Sequence, residues 1–143
     1  VALKISLKPG EQFVVNGAVV TNGEKRTVLV VQNKAAILRE RDIMTEREAT
    51  SPARRVYFAC MLSYLDAASA DDYYPAFVEA MDGLLSAIEN PKIRLVCAQT
   101  SLAMMKRDYY RAIACGRELI EYEDKVLGSP DVTEGVQKRA QVG

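Results

Sequence analysis

The chain has no histidine and no tryptophan among its 143 residues. Without histidine it lacks the commonest general base near neutral pH, the Ser-His and Cys-His nucleophile pairs and the commonest metal ligand. Neither G-x-x-x-x-G-K-[ST] nor G-x-G-x-x-G occurs, so no nucleotide cradle is signalled. Cys60, Cys97 and Cys115 are odd in number, show no C-x-x-C spacing and sit among apolar residues, which reads as buried reduced thiols rather than disulfides or a zinc cage. Apolar runs stop short of the ~18 residues a membrane span requires, and VALKISLKPG lacks the basic-then-apolar pattern of a signal peptide. The expectation is a cytoplasmic chain with no membrane partner, no cofactor and no metal. The remaining carboxylates, Asp66, Asp71 and Asp72 with Glu121, Glu123 and Asp124, read as helix ends and solvated faces, which argues against an enzyme.

What is present is an asymmetry of charge. Net charge is zero, yet residues 1–56 hold ten Lys and Arg against six Asp and Glu, and the rest of the chain carries the compensating acid excess. Lys4, Lys8, Lys25, Arg26, Lys34, Arg39 and Arg41 decorate this first part, where Phe13 is the sole aromatic residue. Two readings stay open. The cations are solvated faces and protected strand edges, or together they track a nucleic-acid backbone by phosphate contacts without aromatic stacking platforms.

Strand signals fill the first third. LKISL alternates about Lys4 and Ser6, Pro9-Gly10 breaks it, QFVV resumes, and Asn16-Gly17 and Asn22-Gly23 mark turns because Asn and Gly tolerate positive φ. RTVLVVQ has the pattern of a buried strand, and AAILRERDIM closes a five-strand meander or small barrel. From Ser51-Pro52 the pattern turns helical, with Asn90-Pro91 repeating the start signal, and four helices are expected near 52–69, 72–89, 91–106 and 108–127. Asp71 or Asp72, and Asp108, are the candidate caps of the second and fourth. The first helix reads as central and the last as peripheral. The predicted class is α+β: a small N-terminal antiparallel sheet or barrel (1–48), a bundle of about four antiparallel helices (49–128) and a disordered tail (129–143).

Arg54-Arg55 is the sharpest local feature, since positive side chains in a helix's first turn oppose its dipole. Either the two pair with Glu46 and Glu48 or stay exposed, or they form a phosphate site with the free N–H groups of the helix start. Tyr73, Tyr74, Tyr109 and Tyr110 read as half-buried core residues or as a partner-binding surface, and Met104-Met105 as core.

The ordered segments LKPGE (7–11), NGAVV and NG (16–23), LVVQNKAAILRERDIM (29–44), SPARRVY (51–57), and YYRAI with RELIEYEDKVLG (109–128) resemble the FlbT family, the flagellar-biosynthesis repressors of alphaproteobacteria. That resemblance implies post-transcriptional control: binding the 5′ untranslated region of flagellin mRNA, with repression of translation and promotion of mRNA decay. It also implies coupling to FlaF. The alternative it leaves is an adaptor or chaperone for flagellin or FlaF without RNA contact. The opening sheet also looks like the carbon storage regulator fold, through Leu7-Lys8 before Gly10-Glu11 and Arg39-Glu40-Arg41-Asp42-Ile43. This likeness implies that the edge of the first and last strands meets RNA, and that a homodimer could form by strand exchange.

Overall fold

The computed structural model describes residues 2–127 and is α+β: antiparallel strands in two small sheets, then four helices. The expected tail, 129–143, lies outside the described residues. Two compact units meet in the chain between Ile43 and Met44.

The first unit holds β1 (Leu3–Leu7), β2 (Gln12–Val15), β3 (Ala18–Thr21), β4 (Thr27–Val31) and β5 (Ile37–Arg39). β1 pairs with β4, while β2 lies between β3 and β5, so the strands do not form a meander. The two Asn-Gly pairs explain the departure. Asn16 and Gly17 take φ of 49° and 84° and close a two-residue hairpin with Val15 opposite Ala18. Asn22 works through its side chain instead: its amide donates to the carbonyls of Lys8 at 2.8 Å and Lys25 at 3.0 Å. That clip directs the chain away from β3, so that β4 pairs with β1. Pro9-Gly10 forms a type II turn, with Gly10 at φ 71° and the Glu11 N–H donating to the Lys8 carbonyl at 3.1 Å.

Ile5, Leu7 and Phe13 form the core of this unit, with Val15, Leu29, Val31 and Ile37 packed on it. β4 is not buried on both faces as its composition suggested. Its inward residues alternate with Val28 and Val30, which are 57% and 47% exposed. Antiparallel register sets Ser6 opposite Val28 and Lys4 opposite Val30, leaving one face of the ribbon in water.

The second unit holds α1 (Pro52–Leu65), α2 (Ala70–Ala87), α3 (Pro91–Met105) and α4 (Tyr109–Leu127). α1 is shorter than its pattern suggested because Asp66 leaves helical geometry at φ −136° and accepts the Tyr73 hydroxyl at 3.0 Å. A single 3-10 turn, Ala67–Ser69, leads directly into α2. Asp71 and Asp72 therefore lie inside the first turn of α2, where acids suit the dipole, and neither is its cap. Asn90 does cap α3, accepting the Lys92 N–H at 2.9 Å, and Asp108 accepts the Arg111 N–H at the start of α4 at 3.3 Å.

α1 packs against α2 and α4, and α3 packs mainly against α4. The fourth helix is thus not peripheral: Ala112, Ile113 and Leu119 are at most 1% exposed. Gly116 permits the approach, since a Cβ there would stand 3.2 Å from the Tyr57 ring and 3.4 Å from its Cα. Among the described residues, no helix is long and apolar enough to cross a membrane.

Candidate nucleic-acid interface

Strand alternation and the Asn22 clip together place the cations of the first unit. Lys4 projects from the solvent face of β1, opposite Val30. Lys8 follows at the end of the same strand, and Lys25 is drawn beside it because one Asn22 amide holds both backbone carbonyls. Arg26 adjoins Lys25 just before β4. Lys8, Arg39 and Arg41 line one cleft of about 450 Å³ around the Pro9-Gly10 turn. Lys34 sits in the β4–β5 connection, next to the segment in which Asn16 and Ala36 exchange hydrogen bonds.

Acids interrupt the cluster. Arg39 donates to the Ser6 carbonyl at 2.6 Å and pairs with Glu11 at 3.3 Å. The Lys8 N–H holds the other Glu11 oxygen at 2.9 Å. That backbone bond, with the Arg39 guanidinium, keeps the Glu11 carboxyl below the usual carboxylate range. Glu40 receives the Gln12 N–H at 3.2 Å. Arg41 remains 79% exposed and meets Asp42 only at 3.7 Å. The cleft is therefore mixed in sign, and the exposed cations of this group are Lys4, Lys8, Lys25 and Arg26, with Arg41 exposed beside Asp42. β1 and β5 belong to different sheets, so the first and last strands do not form the expected shared edge; Arg39 links them by its side chain instead.

The Arg54-Arg55 pair needs a correction. Arg54 is 7% exposed and forks onto Asp124 at 2.8 and 3.0 Å, with Glu123 at 3.5 Å. Glu123 also accepts the Ser51 hydroxyl and the Ala53 N–H. The anion at the start of α1 is thus the protein's own carboxylate, brought from α4, and it offsets the dipole conflict that the sequence posed. Of the two acids that the sequence offered it, Glu48 closes a capping box with Thr45. Glu123, read as a solvated helix face, is 2% exposed. Only Arg55 of the pair is exposed, on the rim of a groove of about 750 Å³ between α1 and α2.

The four tyrosines do not form one patch. Tyr73 is bound to Asp66, a hydrogen bond that pushes its phenol upward in pKa. Tyr74 and Tyr109 share a cleft of about 240 Å³ with both methionines of Met104-Met105. Tyr110, 64% exposed, has its ring 6.0 Å from that of Tyr64. Met104 is core, at 3% exposed, whereas Met105 is 69% exposed. The sequence held the signal for the Arg54 pocket, three acids within YEDKVL's neighbourhood and a cap at Ser51, but nothing in it brought α4 to α1.

A family model described as flagellar protein FlbT matches residues 3–127. The chain is 52% identical over 126 residues, 88% of this chain and 96% of the relative, to a "probable flagellum biosynthesis repressor protein FlbT" of a Caulobacter species. It is 47% identical over 141 residues, 99% of both chains, to the "flagellum biosynthesis repressor protein FlbT" of Caulobacter vibrioides. A Rhodopseudomonas palustris relative, also named as a probable repressor of this kind, is 33% identical over 127 residues, 87% of this chain and 97% of its own. No solved structure matches.

Proposed function

The chain belongs to the FlbT family of flagellar proteins, and on that premise we propose that it regulates flagellum biosynthesis by binding the 5′ untranslated region of flagellin mRNA. Binding there represses translation and promotes decay of the transcript. The observation that carries this reading is the Asn22 clip, which sets Lys8 and Lys25 side by side at the end of β1, next to Arg26 and the Arg41 cleft. Phosphates follow these cations. The Glu11 and Glu40 carboxylates between them disfavour a phosphate inside the cleft and suit the amino groups of a base edge. Arg54 has no part in this, and with Phe13 buried no aromatic residue of the first unit stacks a base.

If four of the exposed cations neutralise phosphates of single-stranded RNA, the log–log salt slope is about −2.8, or about fiftyfold in affinity between 50 and 200 mM salt. Titration of labelled flagellin leader RNA at several salt concentrations measures it. A flat salt response, or equal affinity for Lys8→Ala/Lys25→Ala, would remove direct RNA contact from the first unit and leave regulation to protein partners.

A further inference from the structure

α3 carries a second surface that the RNA reading does not use. Leu95, Ala98, Leu102 and Met105 recur at intervals of three and four, so they form one stripe along the helix, about 15 Å long. All four face water: Leu95, Leu102 and Met105 are 59%, 50% and 69% exposed, and Ala98 is exposed too. The opposite face, with Cys97, Thr100, Ala103 and Met104, is buried. Large apolar side chains repeated at the spacing of a helix–helix seam, and left half-exposed or more by the described residues, have the geometry of half a two-helix interface.

The flanks of the stripe say what covers it. In heptad terms one flank is Lys92, Gln99 and Lys106, and the other is Arg94 and Ser101. No acid occurs from Pro91 to Arg107. Arg94 caps α2 by donating to the Leu85 and Ile88 carbonyls at 3.0 and 2.9 Å, and its charge stays on that flank. Arg107 is paired with Asp71 at 2.9 Å, and Asp108, next to Lys106, is engaged as the cap of α4 by the Arg111 N–H at 3.3 Å, with Arg111 lining the same cleft. A second copy of α3 would fit poorly: antiparallel pairing sets Lys92 against Lys106, and parallel pairing supplies no acid to any basic position. A lipid surface is also a poor occupant, since the stripe is narrow and only two free lysines flank it.

We propose that the outer face of α3 docks an acidic amphipathic helix of another polypeptide, about three turns long, with leucine-like residues at intervals of three and four and glutamate or aspartate on both flanks. The complementary charges select the partner and its orientation, and the apolar seam holds it. This inference is independent of RNA binding, because no residue of the first unit takes part.

The test uses the full chain and a labelled 21-residue peptide with leucine on its seam and glutamate on its flanks, a matched peptide with lysine flanks, and phosphatidylglycerol vesicles. The glutamate peptide is expected to bind at least about tenfold more tightly than the lysine peptide at low salt. Leu95→Gln/Leu102→Gln, at exposed positions that leave folding intact, should weaken it by about thirtyfold, and Lys92→Glu/Lys106→Glu should reverse the preference between the peptides. Circular dichroism melts of both variants confirm that the fold persists. Equal binding of the two peptides, insensitivity to Leu95→Gln/Leu102→Gln, self-association abolished by that variant, or stronger binding to vesicles than to peptide would each overturn the proposal.

Discussion

The two units use the same chemical pair, arginine with a carboxylate, in opposite ways. In the β unit, Arg39 meets Glu11 at the rim of an open cleft, and its neighbours Lys8 and Arg41 remain in water. In the helical unit, Arg54 is enclosed with Glu123 and Asp124, and Glu123 also finishes the N-terminus of α1. Solvent exposure separates a charge that can exchange partners from one committed to the fold. Coulomb attraction at the surface is screened by water and ions, so rim cations are free to trade an acid for a phosphate. A buried arginine has no such choice, because losing its partner strands a charge in a poor solvent.

The largest effect that tests this contrast is Glu123→Ala. It leaves Arg54 with Asp124 while Ser51 and Ala53 lose a buried acceptor, and should cost about 1–3 kcal/mol in urea unfolding. A loss under about 1 kcal/mol would mean that water reaches the pair. Gly116→Val, pressing a branched side chain onto Tyr57, should cost about 1–3 kcal/mol by the same measurement, whereas Gly83→Ala, with open space around it, should gain about 0.5–1 kcal/mol. The β unit should respond differently. Lys8→Ala/Lys25→Ala should raise the dissociation constant for leader RNA about tenfold and flatten the salt slope by about 1.4, with stability changed by less than about 0.5 kcal/mol.

The smallest effect concerns pH. Because the folded state depresses the Glu11 pKa, its contribution to stability is complete above the ordinary carboxylate value and is lost as pH falls through the lower folded value. The difference in urea midpoint between wild type and Glu11→Gln should therefore shrink toward zero as pH falls below the ordinary carboxylate value. At neutral pH the same substitution, by removing an acid and freeing Arg39, should tighten RNA binding; weaker binding would show that Glu11 meets the RNA itself. Thiol chemistry offers a separate check on the helical core. Burial pushes the Cys60 thiol far up, and Cys97 in the same direction, so neither should react with iodoacetamide at about pH 8 in the folded protein while denaturant exposes both.

Much of the architecture was legible in residue order. The Asn16-Gly17 hairpin, the Ser51-Pro52 and Asn90-Pro91 helix starts and the Asp108 cap are local devices, each requiring only a few neighbouring residues. The errors share a different character. Asn22-Gly23 looked like a second positive-φ turn, but the Asn22 amide finds carbonyls at Lys8 and Lys25, the first of them fourteen positions away. RTVLVVQ looked doubly buried because β-branched composition does not say how many faces are covered. Met104 and Met105 are adjacent and chemically identical, yet one is core and the other solvent-exposed, since successive helical positions point about 100° apart.

Propensity, capping and charge totals come from near neighbours, and they were enough for an α+β chain with a basic front and helical remainder, while its family showed in the resemblance of whole ordered segments. Which cations remain free is a different kind of fact. It depends on distant segments: α4 delivering Glu123 to Arg54, Glu11 reaching Arg39, Asn22 gathering two lysines. Those encounters turn on burial and distance in three dimensions, and the energy of a charge is governed by both.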